Sequence, residues 1–360
     1  MNNTEKEFDL LVFVGRFQPF HKEHKRVIDI ALEKSRHVLI LVGSAGKART
    51  IRNPFTFDER KQMIYGAFKQ SEKHDDALRR KRLIIKPLYD KTYNDAAWVK
   101  QVQELVKDTT LDVMNPSGFM ASGYNDAKVG LIGASKDGSS YYLKLFPQWK
   151  SVNVEIEADV HSTSIRDNFY EDEIVYSNAP LNGNVINFMN EFTLTDECEA
   201  LRREHWFVKQ YKKQWEVAPY PVKHATVDVC LEQSGHVLLV KRRAEPGKGL
   251  WALPGGHLNE FETQLDGAIR ELREETKIKV PEAVLRGSIV ANRTFDDPYR
   301  STIGRVITQA YHIKLPDAVE LPRVKGADDA EKAVWIPISD LREDQMFDDH
   351  HAILCFFLGI

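Results

Sequence analysis

Residues 10–14, Leu-Leu-Val-Phe-Val, and 37–42, His-Val-Leu-Ile-Leu-Val, are short unbroken apolar runs, each ending at a glycine, Gly15 and Gly43. Between them Val27, Ile28, Ile30, Ala31 and Leu32 fall on one face of a helix over 22–35. Strand, glycine turn, helix and strand make a βαβ unit, which implies a parallel, doubly wound sheet. Helical stretches at 57–70 and 95–107 and an apolar run at 83–88 continue the alternation. Pro180-Leu181-Asn182-Gly183 punctuates the chain, and 184–215 reads as helical and amphipathic. After Pro219-Tyr220-Pro221 the texture changes. Alternating runs at 224–231 and 236–241 flank Gln233-Ser234-Gly235, a hairpin signal. A strongly charged helix at 262–276 and strand-like segments at 287–293 and 305–313 complete a mixed-strand pattern. The pattern predicts an α/β doubly wound domain over 1–183, a helical linker over 184–221 and an α+β domain over 222–360.

Composition changes this picture little. A chain of 360 residues has room for two cores. A net charge of -3 argues against a protein that coats nucleic acid. The interleaved basic and aromatic residues of 201–215 therefore read as a connecting helix with one buried aromatic side. Cys198, Cys230 and Cys355 are far apart and odd in number, which fits a reducing compartment rather than a disulfide framework. The start, Met-Asn-Asn-Thr-Glu-Lys-Glu-Phe-Asp, has no apolar core of the kind a leader needs, and no run nears the roughly 18 residues of a membrane span. The expectation is a cytoplasmic protein with neither nucleic-acid nor membrane partners; an oligomer stays open.

Candidate chemistry is densest in the charged helix. Glu271, Glu274 and Glu275 are spaced to share one helical face, where three like charges call for a cation. Ligands of this hardness select Mg²⁺ or Mn²⁺. Upstream, Leu253-Pro254-Gly255-Gly256 lets backbone approach closely and offer a carbonyl, and Arg270 stands beside the carboxylates to orient one. The run Gly256, five residues, Glu262, seven residues, Arg270-Glu271-Leu272, one residue, Glu274-Glu275 resembles the Nudix box of the Nudix hydrolase superfamily. The family's closing glycine is Lys277 here, a departure at the helix end. The resemblance implies hydrolysis of a phosphoanhydride in a nucleoside diphosphate compound. It implies Gly256, Glu271 and Glu275 as metal ligands, Glu274 as assisting in catalysis, and a base from the loop 326–331, Glu331 or Asp329. Thr294 to Arg300, followed by Gly304-Arg305-Val306, is similar to a segment of ADP-ribose pyrophosphatases, which implies that Arg300 and Arg305 grip ADP-ribose.

The first domain carries a second candidate. After the first strand comes Gly15-Arg16-Phe17-Gln18-Pro19-Phe20-His21-Lys22-Glu23-His24, a glycine turn opening a helix whose free N–H groups and dipole suit a phosphate. His21 and His24 lie one turn apart and can donate hydrogen bonds to a triphosphate as charge builds. The stretch resembles the archaeal-type nicotinamide mononucleotide (NMN) adenylyltransferases, with Glu23 where the family has glycine. Gly43-Ser44-Ala45, Ile51-Arg52-Asn53-Pro54-Phe55-Thr56 and Glu59-Arg60 are similar to the family's second block. His161-Ser162-Thr163-Ser164-Ile165-Arg166 is similar to its later signature, with His161 in place of a serine. The resemblance implies a Rossmann-like domain in which His21, His24, Arg16 and Arg166 are catalytic. It places Gly15, Phe17, Gln18, Arg52, Ser162 and Thr163 at the ATP phosphates, and Asn94 and Trp98 at NMN. Together the resemblances imply a bifunctional enzyme of NAD metabolism acting on ATP, NMN and ADP-ribose with Mg²⁺. Two rivals stand beside it: a second domain that senses an NAD metabolite without cleaving it, and a transferase for another acceptor such as phosphopantetheine or nicotinate mononucleotide.

Overall fold

A computed structural model describes residues 6–68, 81–114, 127–134, 142–155, 157, 160–171 and 179–360. The chain divides into two compact units, Met1–Leu201 and Arg202–Ile360.

In the first unit, strands β1 (Phe8–Gly15), β2 (Ser35–Val42), β3 (Leu83–Pro87), β4 (Val129–Ala134) and β5 (Lys150–Val154) form one sheet in the order β3-β2-β1-β4-β5. Every pairing in it is parallel. Helices α1 (Lys22–Lys34), α2 (Phe57–Ala67), α3 (Asp95–Met114), α4 (Ser162–Glu171) and α5 (Gly183–Phe192) pack around it. Residues 69 and 70, the end of the expected 57–70 helix, lie outside the described residues. The unbroken apolar runs of β1 and β2 are explained by cores on both faces. Leu11, Phe13, Val38 and Ile40 pack with Val27, Ile28 and Ala31 of α1. Leu10, Val12, Leu39 and Leu41 pack on the other face with Val102 and Val106 of α3. Val185, Met189 and Phe192 of α5 belong to the first of these cores, so 183–192 is part of this unit rather than of a linker. The helix expected over 184–215 breaks at 193–195 and resumes as α6 (Asp196–Gln214).

The second unit is built on a mixed sheet in the order β10-β11-β6-β7-β12. Its strands are β6 (Lys223–Gln233), β7 (His236–Arg242), β10 (Ile289–Phe295), β11 (Arg305–Lys314) and β12 (Ala330–Pro337). Two short strands join it, β8 (Trp251–Ala252) on β7 and β9 (Gly255–His257) on β6. The β11–β6 pairing is parallel, and the others are antiparallel. Helix α7 (Gln264–Thr276) starts at Thr263, whose Oγ1 accepts from the Asp266 N–H at 3.2 Å. It lays Ala268, Ile269 and Leu272 on Val227, Val229 and Leu238 of the sheet, and it turns Glu271 and Glu275 toward β9. Short helix α8 (Glu282–Gly287) and helix α9 (His350–Leu358) complete the unit. Among the described residues no helix is long and apolar enough to cross a membrane.

Candidate active sites

The order of the first sheet reverses between β1 and β4, and in open parallel sheets ligands bind outside the strand ends at such a point. Gly15 ends β1 there. A Cβ on it would stand 2.8 Å from the Phe17 ring, so the close approach requires glycine. Phe17, at φ 55°, buries its ring against Phe13, Phe20 and His24. It was expected at the phosphates; its side chain is core.

Helix α1 opens on a reciprocal pair. His21 Nδ1 accepts from the His24 N–H at 3.4 Å, and His24 Nδ1 accepts from the His21 N–H at 3.3 Å. Their rings stack with centroids 3.5 Å apart. A neutral imidazole that accepts at Nδ1 carries its proton at Nε2, so the backbone fixes both rings as Nε2–H donors. Burial first, then the neighbouring His21, holds His24 well below the usual imidazole range, which keeps it neutral. Glu23 pairs with Arg26 at 3.0 Å, so its charge has a local partner.

Arg166 of α4 is buried and donates to the Gln18 carbonyl at 2.6 Å and to Thr163 Oγ1 at 3.2 Å. Burial lowers its pKa, and the charges of Arg16 and Arg52 lower it further. Three guanidinium groups therefore share one neighbourhood with Ser162 and Thr163, a setting that favours an anion. Gln18 departs from expectation. Its amide exchanges hydrogen bonds with the Phe55 backbone, at 2.8 and 3.0 Å, and so fixes a turn. Asn94, expected at NMN, caps α3 by accepting the Ala97 N–H at 3.0 Å; half-buried Trp98 rests against Phe146 with ring centroids 6.2 Å apart. Arg60, not singled out as a functional residue, is 1% exposed and donates to the carbonyls of Arg16, Gly43 and Ser44 at 2.7, 2.7 and 3.2 Å. It ties the turns after β1 and β2 together.

In the second unit α7 meets β9 edge-on. A Cβ on Gly256 would stand 2.6 Å from Glu271 Oε1, and one on Gly255 would strike the Val227 carbonyl at 2.1 Å. Gly255 is dictated by the β6 backbone beside it, and Gly256 leaves room for the Glu271 carboxylate. Glu275 is 7% exposed and accepts the Gly255 N–H at 3.0 Å. Burial pushes its carboxyl up to about 8, with Glu271 and Asp228 adding to the rise. Burial also raises Glu271. Arg270 grips Glu262 through two bonds, at 2.6 and 2.9 Å, and reaches Glu271 and Glu274, each at 2.9 Å. Among the described residues no three His, Cys, Asp or Glu side chains stand gathered for a metal. Glu271 and Glu274 accept from Arg270, and Glu275 accepts the Gly255 N–H.

Beside this helix lies a cavity of about 290 Å³, lined by Glu275, Gly255 and Gly256. Asp228, Asp329 and Asp348 also face it. Of the two carboxylates expected as base, Glu331 is exposed on β12 and off the lining, whereas Asp329 lines the cavity. Glu274 also lies off the lining. Arg300 lines it, but with its guanidinium paired twice to Asp349, both bonds 2.9 Å. Arg305 is off the lining and donates to the Asp296 carbonyl. Arg242 and Arg243 line the cavity instead. Asp348 was missed in the sequence; burial, then Asp349, pushes its carboxyl up to about 6. Phe207 and Tyr211 of α6, expected in a linker, also form part of the wall.

Two family models match the chain. One is described as a NUDIX domain, over residues 222–356, and the other as Cytidylyltransferase-like, over 12–168. A nicotinamide/nicotinic acid mononucleotide adenylyltransferase of Acinetobacter baylyi is 38% identical over 200 residues, 55% of this chain and 94% of that protein. A nicotinamide-nucleotide adenylyltransferase of Pyrococcus furiosus is 38% identical over 95 residues; the match spans 26% of this chain and about half, 48%, of that relative's length. Over nearly the whole chain the fold is similar to the crystal structure of a bifunctional NMN adenylyltransferase/ADP ribose pyrophosphatase from Francisella tularensis, complexed with AMP and a Mn ion. There the TM-score is 0.85 at 33% identity, over 98% of this chain and 99% of that one.

Proposed function

Because the chain belongs to the family of bifunctional NMN adenylyltransferase/ADP-ribose pyrophosphatases, we propose that its first unit makes NAD and its second hydrolyses ADP-ribose. In the first, the 5′-phosphate of NMN attacks the α-phosphorus of ATP and pyrophosphate leaves. His21 and His24 donate their Nε2–H groups to the phosphates, and Arg16, Arg52 and Arg166 offset the charge. Ser162 and Thr163 receive the far phosphates at the start of α4. No residue here needs to exchange a proton, because transfer depends on position and charge. Trp98 offers its ring to the nicotinamide, with Asn94 beside it.

In the second unit the oxygen donors of Glu271, Glu275 and the Gly256 carbonyl fit a hard divalent cation, Mg²⁺ or Mn²⁺, and the raised carboxyls mark negative charge that burial leaves uncompensated. Such an ion, when bound, neutralises the diphosphate and makes water acidic enough to attack phosphorus. Arg270 orients Glu271 and Glu274, and Arg242 and Arg243 set positive charge in the cavity wall. Asp329 and Asp348 are the acceptors for the water's proton, Asp348 being poised near neutral pH.

One observation supports the pairing of activities above others: a single chain holds both the backbone-fixed histidine pair and the buried carboxylate of Glu275 on a nucleotide-sized cavity. The test is direct. Protein is incubated with Mg²⁺, ATP and NMN or its nicotinate analogue, and separately with ADP-ribose, and products are separated by chromatography. NAD with pyrophosphate, and AMP with ribose 5-phosphate, are expected. Absence of AMP would leave the second unit a sensor.

A further inference from the structure

The cavity of the second unit has two chemistries, and hydrolysis uses only one. Its carboxylates and arginines suit a metal diphosphate. The rings of Phe207 and Tyr211 do not. These residues stand four apart on α6, so they share one helical face. Their centroids are 6.2 Å apart with planes inclined by 26°, and both are half-buried, which leaves ring surface toward the cavity they line. The Tyr211 ring also lies 5.7 Å from that of His224, near the start of β6. Asp228, on the same strand, accepts from Thr308 Oγ1 at 2.6 Å and lines the cavity close to Gly255 and Glu275. Asp228 lies four steps along the strand from His224, about 13 Å. That leaves room for a ribose and a diphosphate between the rings and the carboxylates.

We infer that Phe207 and Tyr211 form the surface on which the nucleobase of the bound dinucleotide stacks, and so set the second unit's preference for a nucleoside diphosphate over a simpler diphosphate. The inference rests on the hydrolase reading above. Flat rings suit any base, because every base offers a π-face. The rings therefore act on binding and leave the carboxylate chemistry alone.

The experiment uses the full chain and compares wild type with Phe207→Ala, Phe207→Leu, Tyr211→Ala and, as aromatic rescue, Phe207→Tyr. For ADP-ribose the Ala and Leu variants should raise KM about tenfold with kcat nearly unchanged, the loss of one stacked base. Phe207→Tyr should restore KM. For ribose 5-diphosphate, which lacks a base, all variants should match wild type. A second readout needs no turnover: stacking should quench etheno-adenine fluorescence when etheno-ADP-ribose binds Glu275→Gln protein, and adding Phe207→Ala should remove the quench. Unchanged KM and quench in the Ala variants would overturn the inference while leaving hydrolysis intact. So would a fall in kcat for both substrates, which marks a structural role. If wild type cleaves neither substrate yet quenches etheno-ADP-ribose, the hydrolase reading fails and the stacking surface stands.

Discussion

Two single residues show how local geometry sets energy in the second unit. Lys277 ends α7 at φ 49° and ψ 27°, the left-handed conformation that glycine adopts without penalty, while its N–H bonds the Arg273 carbonyl at 3.0 Å. A side chain with a Cβ is strained there. Lys277→Gly should therefore stabilise the unit by about 1 kcal/mol, seen as a higher urea midpoint at unchanged slope; a lower midpoint would refute the strain. Glu275 is the second case. Its folded carboxyl titrates near 8 against 4.5 for an ordinary one, so the folded state holds a proton that the unfolded chain releases earlier. Its contribution to stability is complete below the ordinary value and is lost as pH rises through about 8. Metal-free protein should melt at falling temperature between about pH 5 and pH 9, and Glu275→Gln should flatten that slope in calorimetry. Added Mg²⁺ or Mn²⁺ should raise the melting temperature most at the alkaline end, where no proton competes for the site.

At the scale of elements, the first site depends on two turns held by one cation. Arg60 of α2 meets the carbonyls of Arg16, Gly43 and Ser44 from a fully buried position, and burial brings its pKa down to about 10. Arg60→Met keeps much of the volume but leaves those carbonyls without their donor, at about 1–3 kcal/mol for each buried group left unpaired. The variant should melt several degrees lower and lose adenylyl transfer while keeping ADP-ribose hydrolysis; equal loss of both would refute a local role. Such pairings also mark where the sequence stops being legible. β1 and β2 were readable because both faces are apolar, whereas β5, Lys-Ser-Val-Asn-Val, is an edge strand with little pattern. The glycines and carboxylates of the second site were readable from spacing, since β9 and α7 are near neighbours in the chain. The partner of Arg300 was not, because Asp349 is 49 residues away. Asp348 and the α6 rings reach the cavity by equally long-range folding, and neither carries a local motif. Glu331 and Asp329 were not distinguishable from the sequence, because a step of two residues puts one carboxylate on β12 and the other at the cavity.

At the scale of the whole molecule, the two sites draw on separate residues. The histidine pair and its arginines lie within Met1–Leu201, and the carboxylates, the cavity and the α6 rings lie within Arg202–Ile360. Each unit also has its own apolar core, so damage at one site need not unfold the other. His24→Ala should cut NAD formation by roughly a hundredfold to a thousandfold, as expected for loss of a donor to transition-state charge. It should leave AMP release from ADP-ribose at its original rate. If Glu275 is the metal donor proposed above, Glu275→Gln should cut hydrolysis by more than the roughly 10–100-fold typical of groups that only support a ligand, while NAD formation persists. In the double variant each activity should fall by the same factor as in the single variant that affects it, because the sites share no side chain. Measuring both reactions on all four proteins separates the possibilities. A single variant that loses both activities while circular dichroism and melting temperature stay unchanged would mean that the sites are energetically coupled, and independence would have to be abandoned.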